Sequence, residues 1–256
     1  MRQYLAFTKK EWLEQIRTGK LLVMAIVFVL FGIMNPAVAK ITPWMMEMMS
    51  DQLAQTGMEV TAVEVTALTS WMQFFKNMPM ALLVFLVMSG SILTAEYQKG
   101  TLINIITKGM KRWKIYFSKM CIMELIWTLG CLLSYSITYG YNAYFWDNSI
   151  VHHINFAVFT FWLFGFWLIS VLGLASVFCN SSAIVMIVVA ASFGASYLAG
   201  MFSALKEYSP SYLMESAGLL AGEGETSAYL GAILVTIGLI VVGNVISVIG
   251  FDRKNI

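Results

Sequence analysis

The residue types that most often carry catalysis or bind metals are few in this chain and poorly spaced for either task. The two histidines, His152 and His153, are adjacent, and neighbours on a helix point about 100° apart, which does not suit joint metal ligation. We expect them to be polar residues at a membrane surface. Cys121, Cys131 and Cys179 have no C-x-x-C spacing and are expected to be buried thiols. We therefore predict no catalytic residue and no metal site.

One acidic residue could act inside a membrane. Glu124 lies within an apolar segment, and an intramembrane carboxylate is a candidate functional residue. It follows Lys119 by only five residues, so its carboxylate could also reach the membrane surface. Two interpretations stay open, namely a role in a transport path or subunit contact, and a structural residue held by local hydrogen bonds or an ion pair.

Hydrolysis of ATP by this chain alone is not expected. The phosphate-binding loop G-x-x-x-x-G-K-[ST] is absent from the sequence. Gly19 and Lys20 are followed by Leu21, and the Gly222–Glu225 run has no lysine after it.

The composition of the chain indicates which kind of structure holds the candidate residues described above. The chain of 256 residues is 59% hydrophobic and 12% charged, with a mean hydropathy of +0.75, whereas soluble domains carry about 25% charged residues. This excludes a soluble enzyme or a nucleic-acid-binding domain, and a net charge of +2 is too small to indicate a polyanionic partner. We predict one all-α integral membrane domain over residues 1–256.

Charged residues delimit six apolar stretches of about one membrane length each. Lys20 and Lys40 bracket the first, and Lys76 and Glu96 the second. Pro36 could break or kink the first span, or simply lie near its end. The predicted spans are residues 21–39, 77–95, 115–139, 154–178, 183–202 and 227–250, with outer loops at 40–76 and 203–226.

Positive charge is concentrated on one side of these spans. Residues 1–20 carry five of the sixteen lysines and arginines, residues 96–119 carry six, and the C-terminal tail carries two. By the positive-inside rule, both termini and the 96–114 loop are predicted to be cytoplasmic.

The first 20 residues are expected to be a retained leader rather than a signal peptide, because no small-residue cleavage site follows the apolar run. On a helix, Leu5, Trp12 and Ile16 share one stripe, and Lys10 forms an i, i+4 pair with Glu14. We predict an amphipathic helix in the cytoplasmic membrane interface. A lysine interrupts the stripe, so an ordinary solvated leader is the alternative.

The most informative segment follows the second span. Glu96 ends that span, Gly100 permits a turn, and Thr101 can cap a short helix. An apolar face and then a basic cluster follow, formed by Leu102, Ile105, Ile106, Lys111 and Arg112. Such a helix could offer apolar side chains to a cytoplasmic partner. Alternatively, it could lie flat on the membrane with its basic residues on lipid phosphates.

With this segment, the chain resembles the permease subunits of ATP-binding-cassette exporters of the type-2 export family. The resemblance rests on the Glu96-x-x-x-Gly100-Thr101 element, the basic entry into span three, the six-span topology, and an outer segment containing Ser209-Pro210-Ser211. It implies two separate nucleotide-binding subunits that hold ATP and Mg, and a second permease copy or paralogue. It also implies that residues 1–20 are a connecting helix and that residues 96–114 are the region that couples to the ATPase.

The predicted function is export of an amphipathic or apolar cargo across a bacterial cytoplasmic membrane, either a lipid-like molecule or a peptide such as an antimicrobial one. Spans rich in aromatic residues and methionine favour such a cargo over a small hydrophilic solute. The alternative is a secondary transporter or channel that acts alone through Glu124, which would usually need several intramembrane ionisable groups. An intramembrane enzyme would need a converging nucleophile and base, and the sequence supplies neither.

Overall fold

The computed structural model describes residues 2–53 and 65–254 of the chain. Within those ranges the protein is all-helical, with short 3₁₀ turns between some helices and no strand. The helices are α1 (Arg2–Arg17), α2 (Lys20–Leu53), α3 (Ala67–Ser89), α4 (Thr94–Lys99), α5 (Thr101–Thr107), α6 (Arg112–Phe145), α7 (Ile154–Phe178), α8 (Ser182–Gly200), α9 (Ala217–Ala221) and α10 (Leu230–Arg253).

Six stretches of the described chain are helical, long and apolar enough to cross a membrane, which confirms the predicted number. They are Lys20–Met45, Ala67–Lys99, Arg112–Phe145, Ile154–Phe178, Ser182–Gly200 and Thr226–Arg253. The chain is therefore a multi-pass helical membrane protein. The fourth stretch has the predicted bounds, and the fifth and sixth differ from prediction by three residues or fewer at each end.

The predicted outer loop at 40–76 is helical at both ends, because α2 and α3 extend into it. Lys40 and Lys76 were expected to end spans, yet a single lysine is tolerated on a helix surface. Lys40 Nζ lies 3.7 Å from the centroid of the Phe145 ring, and Lys76 is exposed. Residues 54–64 of this loop lie outside the described part of the chain.

Helix α2 neither ends nor breaks at Pro36. A proline has no N–H, so the carbonyl of Gly32, four residues earlier, loses its usual helical partner. Thr138 Oγ1 on α6 donates to that carbonyl at 3.0 Å, and one turn away Ser134 Oγ donates to Phe28 O at 2.6 Å. In hydrocarbon, such bonds from a neighbouring helix are what allow a proline inside a span.

We expect Thr138→Val to lower the free energy of unfolding by about 1 kcal/mol, because valine keeps the side-chain shape and removes the donor to Gly32 O. Thr107→Val is the matched control, since Thr107 is exposed and its Oγ1 donates to Ile103 O within its own helix. The unfolding midpoints of both variants in detergent would be compared. Equal midpoints would show that the Thr138 bond contributes nothing.

An aromatic core holds α6 against its neighbours. The Trp127 ring centroid lies 5.9 Å from that of Phe28, 5.7 Å from that of Phe85 and 5.9 Å from that of Phe161. A Cβ at Gly165 of α7 would overlap the Trp127 ring, so glycine there permits the close approach of α6 and α7.

A polar chain joins α6, α10 and α7 nearer the start of α6. Tyr116 Oη donates to Asn244 Oδ1 at 2.9 Å, and Asn244 Nδ2 donates to Ser170 Oγ at 3.1 Å. Together with the aromatic core, these bonds fix the first turns of α6, where the candidate site lies.

The segment between α8 and α10 is fixed to the end of α8 by three serines. Ser209 Oγ donates to Ser196 O at 2.6 Å, and the Ser211 N–H donates to Ser196 Oγ at 2.8 Å. Segment 203–226 thus contains bonded turns and α9 rather than an open loop.

The three cysteines are free, but only one of them is buried as predicted. Cys131 is buried, Cys179 is half-buried and Cys121 is exposed on the surface of α6. Position within an apolar run does not imply burial in a membrane protein, because its outer helix faces are apolar as well.

Candidate functional site

The segment after the second span folds into two short helices, α4 and α5, separated by a left-handed turn at Gly100. Gly100 has a φ of +64°, a conformation that costs glycine little, and its N–H donates to the carbonyls of Glu96 and Tyr97. The turn therefore lies where the sequence predicted it. Gly100 occupies the N-cap of α5 without a side-chain cap, and Thr101 is the first helical residue, so the prediction that Thr101 caps this helix is wrong.

The apolar face of α5 is directed partly into the protein. Leu102 is fully buried, and Ile105 and Ile106 are half-buried against the core. Burial of the Leu102 side chain removes apolar surface from water, which stabilises this position of α5. Leu102 is therefore not a free contact for a partner, and the exposed apolar residue of this helix is Ile103, at 48%.

Five charged residues, hereafter the basal cluster, join α1, α4 and α6 at the end of the bundle where α6 begins. They are Lys10, Glu11, Glu14, Glu96 and Lys119. Lys119 Nζ lies 2.7 Å from Glu11 Oε2 and 3.1 Å from Glu96 Oε1. The side chains of Lys119 and Glu11 are each 3% exposed. A buried lysine thus holds the predicted coupling residue Glu96 to the leader helix.

Lys10 extends the basal cluster towards solvent. Its Nζ lies 3.1 Å from Glu11 Oε1, 3.2 Å from Glu14 Oε2 and 3.7 Å from Glu96 Oε1, which confirms the predicted Lys10–Glu14 pair. Burial alone would lower the pKa of Lys10, but the neighbouring carboxylates, Glu11 first, raise it. Burial would likewise raise the pKa of Glu14, and its bond to Lys10 lowers it. Both groups are therefore held in their charged forms.

Two members of this cluster were not predicted from the sequence. Lys119 was noted only as a sequence neighbour of Glu124, whereas it is buried and paired, and Glu11 was not singled out. The sequence does contain a signal for the buried face of α1. Phe7, Glu11 and Gln15 recur at i, i+4 spacing, and these three residues form that face.

The predicted leader stripe lies on a different face of α1 from that packed on the bundle. Leu5 and Ile16 are exposed, and Trp12 is half-buried against the core. Thr8 Oγ1 donates to Ser118 Oγ at 3.1 Å, which anchors α1 to α6. The placement of the exposed apolar edge in a membrane interface stays a prediction.

Arg112 holds the C-terminal end of α10. Its Nη1 donates to Phe251 O at 3.0 Å, to Asp252 O at 3.3 Å and also to Lys254 O. A cation that binds terminal carbonyls is favourable at a helix C-terminus. Arg112 is therefore engaged within this chain, while Lys111 is exposed. The part of both residues in coupling to an ATPase stays a prediction.

Further bonds tie α4 to the ends of α7 and α10. Lys254 Nζ donates to Val177 O at 2.7 Å and lies 3.9 Å from the Tyr97 ring centroid. Burial lowers the pKa of Lys254. Gln98 Nε2 donates to Asn180 O at 3.3 Å. These contacts connect α4 to the ends of α7 and α10 and to the turn between α7 and α8.

Glu124 lies outside the basal cluster, half-buried on α6. Within the described residues its carboxylate forms no ion pair or hydrogen bond, and Thr128 Oγ1 donates only to its backbone carbonyl, at 2.7 Å. The interpretation of Glu124 as a structural residue requires a local hydrogen bond or ion pair to its carboxylate. No such partner is found among these residues.

Two cavities lie along the surface formed by α6 and α7, on the side of Glu124 toward the C-terminal end of α6. One of about 810 Å³ includes Asp147, Tyr139 and His153 in its lining, and an apolar one of about 270 Å³ includes Leu132 and Trp162. Both are lined by Tyr135 and Asn155, whose side chains are joined by a hydrogen bond of 2.7 Å. The surface thus changes from polar to apolar along α6.

No protein-family model matches the sequence, and no curated protein matches it significantly. The resemblance drawn from the Glu96-x-x-x-Gly100-Thr101 element therefore stays a hypothesis.

Proposed function

We propose that this chain is the membrane-spanning permease subunit of an ATP-binding-cassette exporter. It moves an amphipathic or apolar cargo outward, driven by ATP hydrolysis in two separate nucleotide-binding subunits that hold ATP and Mg. The permease acts as a dimer with a second copy or a paralogue, in the cytoplasmic membrane of a bacterium. Both termini and the α4–α5 segment face the cytoplasm, as the positive-inside rule indicates.

The observation that carries this proposal is the bridge from Glu96 through Lys119 to Glu11. An element that receives force from a partner must be connected to the helices it moves, and this bridge connects α4 to the leader and to span three. The bonds of Lys254 and Gln98 extend the connection to α7, α8 and α10. Coupling between distant sites is carried by salt-bridge and hydrogen-bond networks, as well as by packed side chains, that have two discrete arrangements.

The mechanism follows from these connections. ATP binding closes the partner subunits and pushes on the exposed side of α5. Because α4 is bonded to α1, α6 and the ends of α7 and α10, the displacement reaches the spanning helices and tilts the two bundles at the dimer seam. ATP shifts this equilibrium only as far as the partner subunits prefer one state over the other.

The α6–α7 surface supports an amphipathic cargo. Its two adjoining cavities place carboxylate, amide and phenol groups outermost and aliphatic and indole groups deeper. A molecule with one polar end and one apolar end matches that order.

The partner contact is tested by Ile103→Glu, which is expected to abolish co-purification of an ATPase because it places a charge on the one strongly exposed apolar side chain of α5. Ile150→Glu is the matched control, since Ile150 is 47% exposed but follows the far end of α6. Affinity capture from native membranes would be compared for the two variants and wild type. Equal recovery of an ATPase with both variants would remove α5 as the contact.

The alternative, a transporter that acts alone, is favoured by one observation, namely the carboxylate of Glu124 without an ion pair among the described residues. A proton- or cation-coupled carrier would use such a group. Transport that persists without ATP and is lost in Glu124→Gln would favour this alternative.

A further inference from the structure

A groove of about 480 Å³ lies between the C-terminal ends of α7 and α10. Its volume lies within the range of small-ligand sites. The lining is apolar along the two helices and basic where they end. The apolar lining includes Phe178, Ile246 and Ile249, and the basic lining residues are Arg253 and Lys254. A ligand in this groove therefore meets two kinds of surface.

The two helix ends that form the groove are joined by direct contacts. Lys254 Nζ donates to Val177 O at 2.7 Å, which connects the end of α10 to the end of α7. A Cβ at Gly250 would overlap the Phe178 ring, so glycine there lets the ring lie close against α10. These contacts hold the two walls of the groove together.

The groove lies at the level where two spans end. Phe178 is the last residue of the fourth spanning stretch, and Arg253 is the last residue of the sixth. Ile249 and Ile246 lie about one and two helical turns before Arg253, and they are 49% and 45% exposed, respectively. The apolar wall is therefore directed into the hydrocarbon region, and the cations lie at its edge.

The basic end of the groove has no counter-ion among the described residues. Neither Arg253 nor Lys254 forms an ion pair with a carboxylate there, nor does Arg112, which binds the carbonyls at the end of α10. Burial lowers the pKa of Lys254, and the group that opposes this effect is the thiol of Cys179 rather than a carboxylate. The ammonium of Lys254 is thus partly desolvated without a negative partner.

These three cations exceed the negative charge around them. The C-termini of α7 and α10 each carry about half a negative elementary charge, and Asp252 carries one in an exposed position. About one positive charge therefore remains after these groups are counted. Both lining cations are accessible to a ligand, because Arg253 is exposed and Lys254 is half-buried. The missing partner is an anion.

We propose that this groove binds an anionic phospholipid. Its phosphate lies at Arg253 and Lys254, and one of its acyl chains follows Ile249 and Ile246 into the membrane. An arginine and a lysine together are typical ligands of a phosphate. The order of the two surfaces along the groove, basic at the end of the span and apolar within it, matches the order of groups in such a lipid.

A membrane lipid fits this groove better than a soluble anion or a protein partner does. A soluble anion would leave the apolar wall without a ligand, and a soluble protein would not reach a wall that lies within two spanning stretches. Basic pockets between spanning helices on the cytoplasmic side are typical sites of anionic headgroups. The positive-inside rule predicts that this end of the bundle is cytoplasmic.

The bound lipid would connect the ends of two spans that are already joined to α4 and α6. Arg112 of α6 binds the end of α10, and Lys254 lies over the Tyr97 ring of α4. The site goes beyond the proposed export function, and lipid binding needs no ATPase subunit. It is therefore measurable on the purified chain whether or not the export function holds.

Native mass spectrometry of the purified full chain tests this site by titration with three probes. These are phosphatidylglycerol, phosphatidylcholine with the same acyl chains, and inorganic phosphate. Phosphatidylcholine has no net charge, so we expect phosphatidylglycerol to bind about fivefold or more tightly than it does. Arg253→Gln should weaken phosphatidylglycerol binding about fivefold, because it removes one of the two cations that meet the phosphate.

Arg17→Gln is the matched control. Arg17 is also an exposed arginine in the last turn of a helix, but it does not line the groove. Retained binding in Arg17→Gln and weakened binding in Arg253→Gln would support the site. Equal binding of the two lipids would overturn it, as would equal effects of the two arginine variants. Inorganic phosphate that binds as tightly as phosphatidylglycerol would rule out a lipid site. Unchanged lipid binding in Arg253→Gln, with loss of a co-purified protein, would assign the charge to a protein contact instead.

Discussion

Lys119→Met is expected to lower the free energy of unfolding by about 3–5 kcal/mol, because it leaves the carboxylates of Glu11 and Glu96 buried without their central counter-ion. Methionine fills nearly the same space as the lysine side chain, so the loss would reflect charge rather than packing. The measurement is unfolding of the purified chain in detergent, followed by circular dichroism against temperature or denaturing detergent.

Lys10→Met is the control for this result. The Lys10 side chain is 49% exposed, so its pairs are screened and its replacement should cost about 1 kcal/mol or less. A second variant, Lys119→Met combined with Glu11→Gln and Glu96→Gln, should recover most of the lost stability because no buried charge remains. Equal losses for Lys10→Met and Lys119→Met would contradict the central position assigned to Lys119.

Glu96→Gln is expected to separate ATP hydrolysis from transport. Glutamine keeps the shape of the side chain but loses the charge that binds Lys119, so the force applied to α5 would no longer reach α1 and α6 together. Since a coupling free energy of 1–3 kcal/mol is typical, transport per ATP hydrolysed should fall by about tenfold or more while hydrolysis continues. The assay is transport and hydrolysis in the same proteoliposomes, containing the chain and its ATPase.

Glu14→Gln is the matched control for uncoupling, because the Glu14 side chain is 49% exposed and pairs with Lys10. Its transport and hydrolysis should stay close to those of wild type. If Glu96→Gln lowered transport and hydrolysis in equal proportion, Glu96 would support assembly rather than coupling. Unchanged transport in Glu96→Gln would remove its proposed role altogether.

The number and type of the spanning helices could be predicted from the sequence because the bilayer imposes them. A span must be apolar over about 20 residues and must satisfy its own backbone bonds, and both constraints are visible in the order of residues. The end of α2 and the start of α3 were predicted wrongly because they were placed at Lys40 and Lys76. One charge per helix can lie on the surface or over an aromatic ring, so a single lysine does not end a helix.

The candidate site was predicted only in part, since its geometry depends on which helix faces meet. Glu96 and Gly100 were identified from their spacing. The partners of Glu96 lie in distant parts of the chain, and no local pattern shows that Glu11 and Lys119 face one another. The burial of Leu102 likewise depends on the orientation of α5 after the turn at Gly100. The apolar pattern of α5 alone does not specify that orientation.

Co-purification with ATP hydrolysis tests whether this chain is the permease subunit of an exporter. The tagged chain would be extracted gently from its native membrane, and the complex would be analysed for bound proteins, their stoichiometry and ATPase activity. The permease account predicts a soluble subunit with a phosphate-binding loop, present at one copy per permease chain, and ATP hydrolysis by the complex. A chain recovered intact, reproducibly alone and without ATPase activity would contradict that account and would make Glu124 the leading candidate for the transport site.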